Sequence, residues 1–202
     1  LESPDGSWWG PVDFAPGNDK LLVLQYVSVN DSRIHVVDLA SGERRRIAGG
    51  DASPSRNLPY AFSADGKGVF HATDEDSEFA RLAYRPLAAD GEVEIITGGI
   101  PWSVSGMAMN NARDAAVFVT NEDTISRLYR LDPVSREYSR IESLPQGLID
   151  LSTQQIESLA HAVKGVADTD RERVVLFAEF YKQLNNKYKL SFRNIRNYLD
   201  QL

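Results

Sequence analysis

"NEDTISRLYRLDPVSREY", from Asn121 to Tyr138, and "DEDSEFARLAYRPLAADGEVE", from Asp74 to Glu94, are two versions of one pattern. Each opens on an acidic turn, runs through an apolar, alternating stretch and closes on a Pro- or Gly-containing turn. A third version lies upstream in "NDSRIHVVDLASGERRRI", from Asn30 to Ile47. Extending the alignment towards the N-terminus makes Phe14, Phe62 and Met109 equivalent, 48 and 47 residues apart. A fixed period of this size marks an array of supersecondary units and takes precedence over local propensity.

Each unit has the same grammar. A leading apolar position enters a turn at Pro16-Gly17-Asn18, Asp65-Gly66-Lys67 or Asn110-Asn111. A β-branched or aromatic strand follows at Leu21–Leu24, Val69–Ala72 or Ala115–Val119. A polar turn comes next, at Asn30-Asp31, Asp74-Glu75-Asp76 or Asn121-Glu122-Asp123, where Asn and Asp bond nearby backbone and tolerate left-handed geometry. A second strand such as Ile34–Val37 or Leu128–Leu131 then leads through Ala40-Ser41-Gly42, Ala89-Asp90-Gly91 or Pro133-Val134-Ser135 into a last one, around Arg46-Ile47, Ile95-Ile96 or Tyr138–Ile141. Short strands with turns and no helix between them predict antiparallel sheets of about four strands, the blade of a β-propeller. A sheet apolar on both faces cannot bury both alone, so blades must stack on copies of themselves. Closed rings use about 4–8 blades, so three blades predict an arc of a propeller.

The composition changes where the repeat ends. Eight of the nine prolines precede Leu144 and the ninth is Pro145, while Gly165 alone of 14 glycines follows Gly147. Residues 1–150 carry 14 Lys and Arg against 23 Asp and Glu, net −9, and residues 151–202 carry 8 against 6, net +2. From Leu151 the apolar period becomes helical. Ser152 with Gln155 and Thr169 with Glu172 fit capping boxes. Stripes at Ile156, Leu159, Ala160 and Val163, at Val174, Phe177, Ala178, Tyr181, Leu184 and Tyr188, and at Ile195, Tyr198, Leu199 and Leu202 predict three helices. The expected organisation is mainly β with a helical tail: a partial propeller over 1–148, with blades at about 10–50, 58–99 and 104–145, then a three-helix unit over 149–202 that needs the propeller, a partner or self-association to complete its core.

The chain is 42% hydrophobic and 25% charged, ordinary for a globular protein. It holds no apolar run of the ~20 residues a membrane span needs, so no membrane partner is expected. No secretory leader is visible in a chain that begins at Leu1, and the compartment stays open. The absence of cysteine excludes disulfides and thiolate metal sites. The net charge of −7 argues against a chain that coats nucleic acid along its whole length.

"DGSWWGPVDFAPGNDKLLVL", "FSADGKGVFHATDEDSEFARL" and "TNEDTISRLYRLD" resemble blades of the N-terminal propeller of prolyl-oligopeptidase-type serine peptidases, especially the acylaminoacyl-peptidase-like branch. The resemblance covers roughly residues 1–148. It implies a noncatalytic segment that gates access to an α/β-hydrolase domain, with that domain or a peptide substrate as the expected partner. The nucleophile elbow of such a hydrolase needs G-x-S-x-G, and no such pentapeptide occurs in the sequence. His35 and His71 fall on expected strands and His161 on an expected helix, so no catalytic residue is assigned. "LSTQQIESLAHAV" and "RERVVLFAEFYKQLNNKYKLSFRNI" resemble the helical C-terminal domain of phage antirepressor-like regulators, with Phe192 where that family has tyrosine.

Each remaining cluster has two readings. Lys182, Lys187, Lys189, Arg193 and Arg196 carry five positive charges without an acid between 182 and 196, interleaved with Tyr181, Tyr188 and Phe192. A solvated helix face is preferred; the alternative is a face that contacts a partner or the phosphates of nucleic acid. Asp74, Glu75, Asp76 and Glu78 lack the ligand spacing and glycine of a calcium loop, so a hairpin corner is preferred and no metal or cofactor is expected. Trp8 and Trp9 are read as the seal of a blade edge in preference to a ligand-stacking pair. Arg44, Arg45 and Arg46 are expected to be exposed strand residues.

Overall fold

The computed structural model describes residues 5–141. Their regular structure is twelve strands in three antiparallel four-stranded sheets. Blade 1 contains β1 (Trp8–Phe14), β2 (Lys20–Ser28), β3 (Asp31–Asp38) and β4 (Arg44–Ala48), hydrogen-bonded in that order. Blade 2 repeats the arrangement with β5 (Asn57–Phe62), β6 (Gly68–Thr73), β7 (Arg81–Pro86) and β8 (Glu94–Ile95), and blade 3 with β9 (Val104–Met109), β10 (Ala116–Glu122), β11 (Ile125–Leu131) and β12 (Tyr138–Arg140). The expected blade count, strand count and order are found. The expected helical tail lies outside the described residues.

The first hairpin of each blade is the same object three times. The amides of Ala15, Ser63 and Asn110 donate to the carbonyls of Lys20, Gly68 and Ala115, at 2.9, 2.9 and 3.0 Å. Asn18, Gly66 and Arg113 sit four residues after Phe14, Phe62 and Met109, and all three have positive φ, at 53°, 68° and 56°. The last hairpins of blades 1 and 3 also match. The Asp38 and Asp132 carboxylates each accept from two following backbone amides, Ala40 and Ser41 in one case and Val134 and Ser135 in the other. Those bonds hold both carboxyls below the usual range, the Ser41 and Ser135 amides contributing most. The left-handed position is Gly42 in blade 1 and Arg136 in blade 3.

Burial follows from the stacking. Phe62 and Val69 of blade 2 pack on Leu22, Ile34 and Val36 of blade 1. Phe70, Leu82 and Tyr84, on the opposite face of blade 2, pack on Met107, Phe118 and Leu131 of blade 3. Every residue of β6 is therefore buried, as a central strand with a sheet on each side must be. Phe118 lies stacked on Tyr129 with ring centroids 4.8 Å apart and meets the edge of Tyr138. Adjacent blades are also joined by hydrogen bonds at equivalent positions of the repeat. The Ser32 hydroxyl donates to the Asn57 carbonyl and accepts from the Asn57 amide, at 2.9 and 2.8 Å. Forty-eight residues further on, the Ala80 amide donates to the Ser103 hydroxyl at 3.1 Å, and the Ala80 carbonyl accepts from the Val104 amide at 2.7 Å.

One corner departs from expectation. Asn121 and Glu122 continue β10, paired with Ser126 and Ile125, and the turn is the two-residue Asp123-Thr124. Both turn residues have positive φ, 50° and 68°. The equivalent corner of blade 2 is the longer loop Asp74–Ala80, so the similar "NED" and "DED" letters make different turns. The difference arises because the apolar ladder of β10 and β11 stays in register to its end and leaves two residues to reverse the chain. Such a turn favours Gly at its second position, and a β-branched residue there is strained. Thr124→Gly is expected to raise the stability of the propeller by about 0.5–1 kcal/mol in chemical denaturation, as the relieved strain exceeds the added chain entropy.

Candidate functional site

The first strands of the three blades converge on a cavity of about 610 Å³. Its wall is built from Pro11–Asp13 of β1, Leu58–Ala61 of β5 and Ser105–Met109 of β9, with Leu24, Asn110, Asn111 and Arg113 beside them. The cavity is the channel side of the propeller arc.

Each wall strand carries one β-bulge. The ladders slip between Pro11 and Asp13, between Pro59 and Ala61, and between Val104 and Gly106. The extra residues are Val12, Tyr60 and Ser105, and all three line the cavity. A bulge bends its strand and re-aims one side chain; here it does so once per blade, at residues that line the cavity. Val12 is partly exposed. The Ser105 hydroxyl donates to the Val119 carbonyl at 3.2 Å. The Tyr60 hydroxyl is buried and has no hydrogen-bond partner, and burial pushes its ionisation upward.

One end of the wall is closed by an ion pair that joins all three blades. Arg113 of blade 3 donates both terminal nitrogens to Asp13 of blade 1, at 2.8 and 2.9 Å. The same nitrogens donate to the Phe62 carbonyl of blade 2 and the Phe14 carbonyl of blade 1, at 2.8 and 2.9 Å. Asp13 completes the knot by accepting from the Phe62 amide at 2.8 Å. Both side chains are about four-fifths buried, at 18% and 20% exposure. Both terminal nitrogens of the guanidinium are engaged twice by protein acceptors, so its task in this geometry is to hold blades together.

The histidines are built for packing. His71 is fully buried in β6, and neither ring nitrogen has a hydrogen-bond partner. Burial lowers its pKa to about 3, with Arg85 adding repulsion. His35 donates from Nε2 to the Gln25 carbonyl oxygen at 2.9 Å, Gln25 donates in turn to Asp5 at 2.6 Å, and the Trp9 ring lies 4.7 Å away. Burial, then the nearby Arg44, lowers the His35 pKa to about 4. Neither imidazole has the hydroxyl partner a nucleophile would need. His161 lies outside the described residues.

The remaining expectations divide. Arg44 and Arg46 are exposed strand residues as expected; Arg44 lies over the Trp9 ring at 4.6 Å and Arg46 pairs with Asp51. Arg45 reaches blade 2 by donating to the Leu87 carbonyl at 2.8 Å. The acidic stretch is a corner loop in which Asp74 accepts from the Arg56 amide at 2.7 Å, and no group of three or more acids and histidines poised to hold a metal occurs among the described residues. Trp9 is half-buried against His35 and Arg44, and Trp8 is 60% exposed. Its partner across the ladder is Tyr26, itself 40% exposed. Lys182, Lys187, Lys189, Arg193 and Arg196 lie outside the described residues. Among the described residues no helix is long and apolar enough to cross a membrane.

Sequence reasoning missed the Asp13–Arg113 knot and the three bulges. The knot had a legible signal, since Arg113 falls where the other two repeats place Asn18 and Gly66. The bulges had none, because one extra residue in a strand leaves the repeat length unchanged when every blade carries it.

The fold is that of known propellers. No protein-family model matches the sequence, and neither does any curated protein. Among solved structures the chain is similar to a putative TolB from Agrobacterium tumefaciens, with 17% identity over 66% of this chain and 48% of that one, at a TM-score of 0.53. It is similar to prolyl oligopeptidase B from Galerina marginata, solved with a 35mer hydrolysis and macrocyclization substrate, with 13% identity over 73% of this chain and 21% of that one, at a TM-score of 0.53. A puromycin hydrolase gives 18% identity over 68% and 22%, at a TM-score of 0.50. The chain spans about half the length of the TolB protein and about a fifth of the two hydrolases. These likenesses establish a β-propeller arc of the kind TolB and prolyl-oligopeptidase-type proteins contain. The phage-regulator resemblance falls wholly outside the described residues, and no family model supports it.

Two measurements test this construction. Replacing Asp13 or Arg113 singly by Ala leaves a largely buried partner uncompensated and is expected to cost about 3 kcal/mol. The double variant should cost less than the two singles combined, with a coupling energy above about 1 kcal/mol in a double-mutant cycle; strict additivity would show that the knot does not join the blades. The second test uses pH. Both described histidines have folded pKa values below the unfolded value of about 6.5, so the unfolded chain takes up protons first as pH falls. Stability is therefore full above pH 6.5 and declines from there towards pH 4, by about 1.4 kcal/mol per pH unit for each imidazole. His71→Gln should flatten the slope by one proton, read from urea midpoints at constant m-value.

Proposed function

We propose that this chain is the access-gating propeller segment of a prolyl-oligopeptidase-like serine hydrolase, and that the chemistry belongs to an α/β-hydrolase domain outside it. The observation that supports the reading most is the channel wall. Three inner strands face a common cavity with one re-aimed side chain each, and the strongest polar contact nearby is spent on joining blades. A propeller whose inner strands are tied in this way presents a rigid opening of defined width, which is what a size filter over a reactive centre requires. The likeness to prolyl oligopeptidase B and puromycin hydrolase supports the same assignment, since both are hydrolases whose structures contain this fold. The chain itself holds no G-x-S-x-G, and its two described histidines are buried without a hydroxyl partner.

Two results are expected. The purified chain will neither cleave peptide anilides nor take up a fluorophosphonate probe, and labelling by that probe would overturn the noncatalytic assignment. The coding region to which the chain belongs will encode a G-x-S-x-G segment followed by an α/β pattern, in the same frame or immediately beside it. A complete frame with neither feature would end the gating assignment.

A further inference from the structure

The two ends of the three-blade stack are finished differently. Alternation along β10 and β11 gives blade 3 two faces. Phe118, Tyr129 and Leu131 belong to the core shared with blade 2. Val117, Val119 and Leu128 lie on the other face, and so does Ala108 of β9, paired with Val117. These four are buried, at 0%, 5%, 1% and 5% exposure, yet they belong to neither interblade core. An apolar sheet face is taken out of water only by another layer laid on it. Blade 2 is the only sheet stacked on blade 3 among the described residues, and it occupies the opposite face. Blade 1, at the far end of the stack, covers its own free face. Trp9 lies against His35, Arg44 stacks over Trp9, and Asp5 accepts from Gln25 and from the Trp9 indole. Terminal units of a repeat need a cap of this kind, and the apolar face of blade 3 takes a different one.

The course of the chain selects the occupant. The Ile141 amide donates to the Leu128 carbonyl at 2.9 Å, so the last described residue runs beside this face. Residues 142–202 follow it. Their longest apolar stripe at helical spacing is Val174, Phe177, Ala178, Tyr181, Leu184 and Tyr188. A helix over 174–188 is about 21 Å long. The seven-residue strands β10 and β11 are each about 23 Å long, so the stripe and the face match in length. The stripe at Ile156–Val163 is about half as long and would leave part of the face bare.

We propose that residues 174–188 cap the stack as a helix whose Phe177, Tyr181 and Leu184 side lies on Val117, Val119 and Leu128 of blade 3, in the place where a closed ring carries its next blade. The fit is reciprocal. The sheet face has no polar layer of its own, and a three-helix pattern of about 50 residues is too small to enclose a core unaided. The blade supplies the wall that the helices lack, and the helix supplies the layer that the blade lacks. The cap finishes the arc whichever reactive domain the arc gates, so it stands or falls apart from the gating assignment.

The chain has no cysteine, so introduced thiols report contact in the full chain. Val119→Cys should react with a maleimide at least about a hundredfold more slowly than Val134→Cys, at a position 75% exposed. Val119→Cys combined with Phe177→Cys, Tyr181→Cys or Leu184→Cys should form an intramolecular disulfide under mild oxidation in at least one pair. Glu179→Cys and Asn186→Cys, on the opposite side of the helix, should form none. Hydroxyl-radical footprinting of the unsubstituted chain gives an answer even if the cysteine variants do not fold. Leu128 should be oxidised at less than about a tenth of the rate of Leu39, and Phe177 at less than about a tenth of the rate of Phe14, at every protein concentration; Leu39 and Phe14 are 45% and 51% exposed. Rapid labelling of Val119→Cys, no intramolecular disulfide with any of the three, or equal cross-linking to Glu179→Cys and Asn186→Cys would overturn the proposal. So would disulfides that join only separate chains, or protection lost on dilution, since either would put a second copy on the face.

Discussion

A four-stranded sheet that is apolar on both faces is unstable by itself, and this constraint organises the molecule. Blade 2 shows it most directly. Val69 is committed to blade 1 and Phe70, the next residue, to blade 3, so every residue of β6 is buried. Removing either neighbour would expose a row of side chains that no rearrangement within blade 2 could cover. Stability is therefore shared between units, as in other repeat architectures. The hydrophobic faces fix which sheets touch but tolerate sliding, since one alternating surface fits another in several offsets. The Ser32–Asn57 and Ala80–Val104 contacts remove that freedom, because hydrogen bonds are satisfied in one register only.

The Asp13–Arg113 knot goes further than neighbour-to-neighbour contact. It lets the third blade grip the first directly and passes through the backbone of the second at Phe62. Arg113 occupies a left-handed backbone position that costs a side-chain-bearing residue of order 1 kcal/mol. The repeat meets that requirement with Asn18 and Gly66 in the other blades, where the side chain does nothing across the channel. In blade 3 the strain is offset by the four hydrogen bonds that Arg113 donates to Asp13 and to the Phe62 and Phe14 carbonyls. Arg136 repeats the arrangement on the outer edge. It has positive φ where blade 1 has Gly42, pairs with Glu94 at 2.8 Å and covers the Tyr84 ring at 4.0 Å. Twice, then, an arginine is held in a backbone conformation better suited to glycine, and twice it clasps a neighbouring blade.

This pattern explains how much was legible in the sequence. The blades were, because turns and apolar strands recur at 48 and 47 residues and a period is insensitive to local ambiguity. The Asp38 and Asp132 turns were, because Asp bonding two following amides is a local device. The Asp123-Thr124 corner was not, since Asn121 and Glu122 favour a turn locally, and only pairing with β11 keeps them in the strand. The packing of the Trp8 indole over Gly10 was hidden for a related reason. "WWG" reads as a sealing pair until the ladder shows that Trp8 and Gly10 share a face, which makes the glycine a seat for the indole. The knot had a clue in Arg113 standing at an Asn or Gly position, but its partner lies one hundred residues away, and no spacing rule connects them.

In a repeat protein the residues common to all units build the fold, so function is carried by positions where the units differ on a shared scaffold. The bulges supply such positions. Each inner strand carries one extra residue on the cavity wall, and the three residues are chemically unlike: an aliphatic Val12, a phenolic Tyr60 and a hydroxylic Ser105. Ser105 has its acceptor in the Val119 carbonyl, and Val12 needs none. Tyr60 packs on the core between blades 2 and 3 and leaves its hydroxyl buried and unpaired, so the middle bulge serves interblade packing where the other two do not.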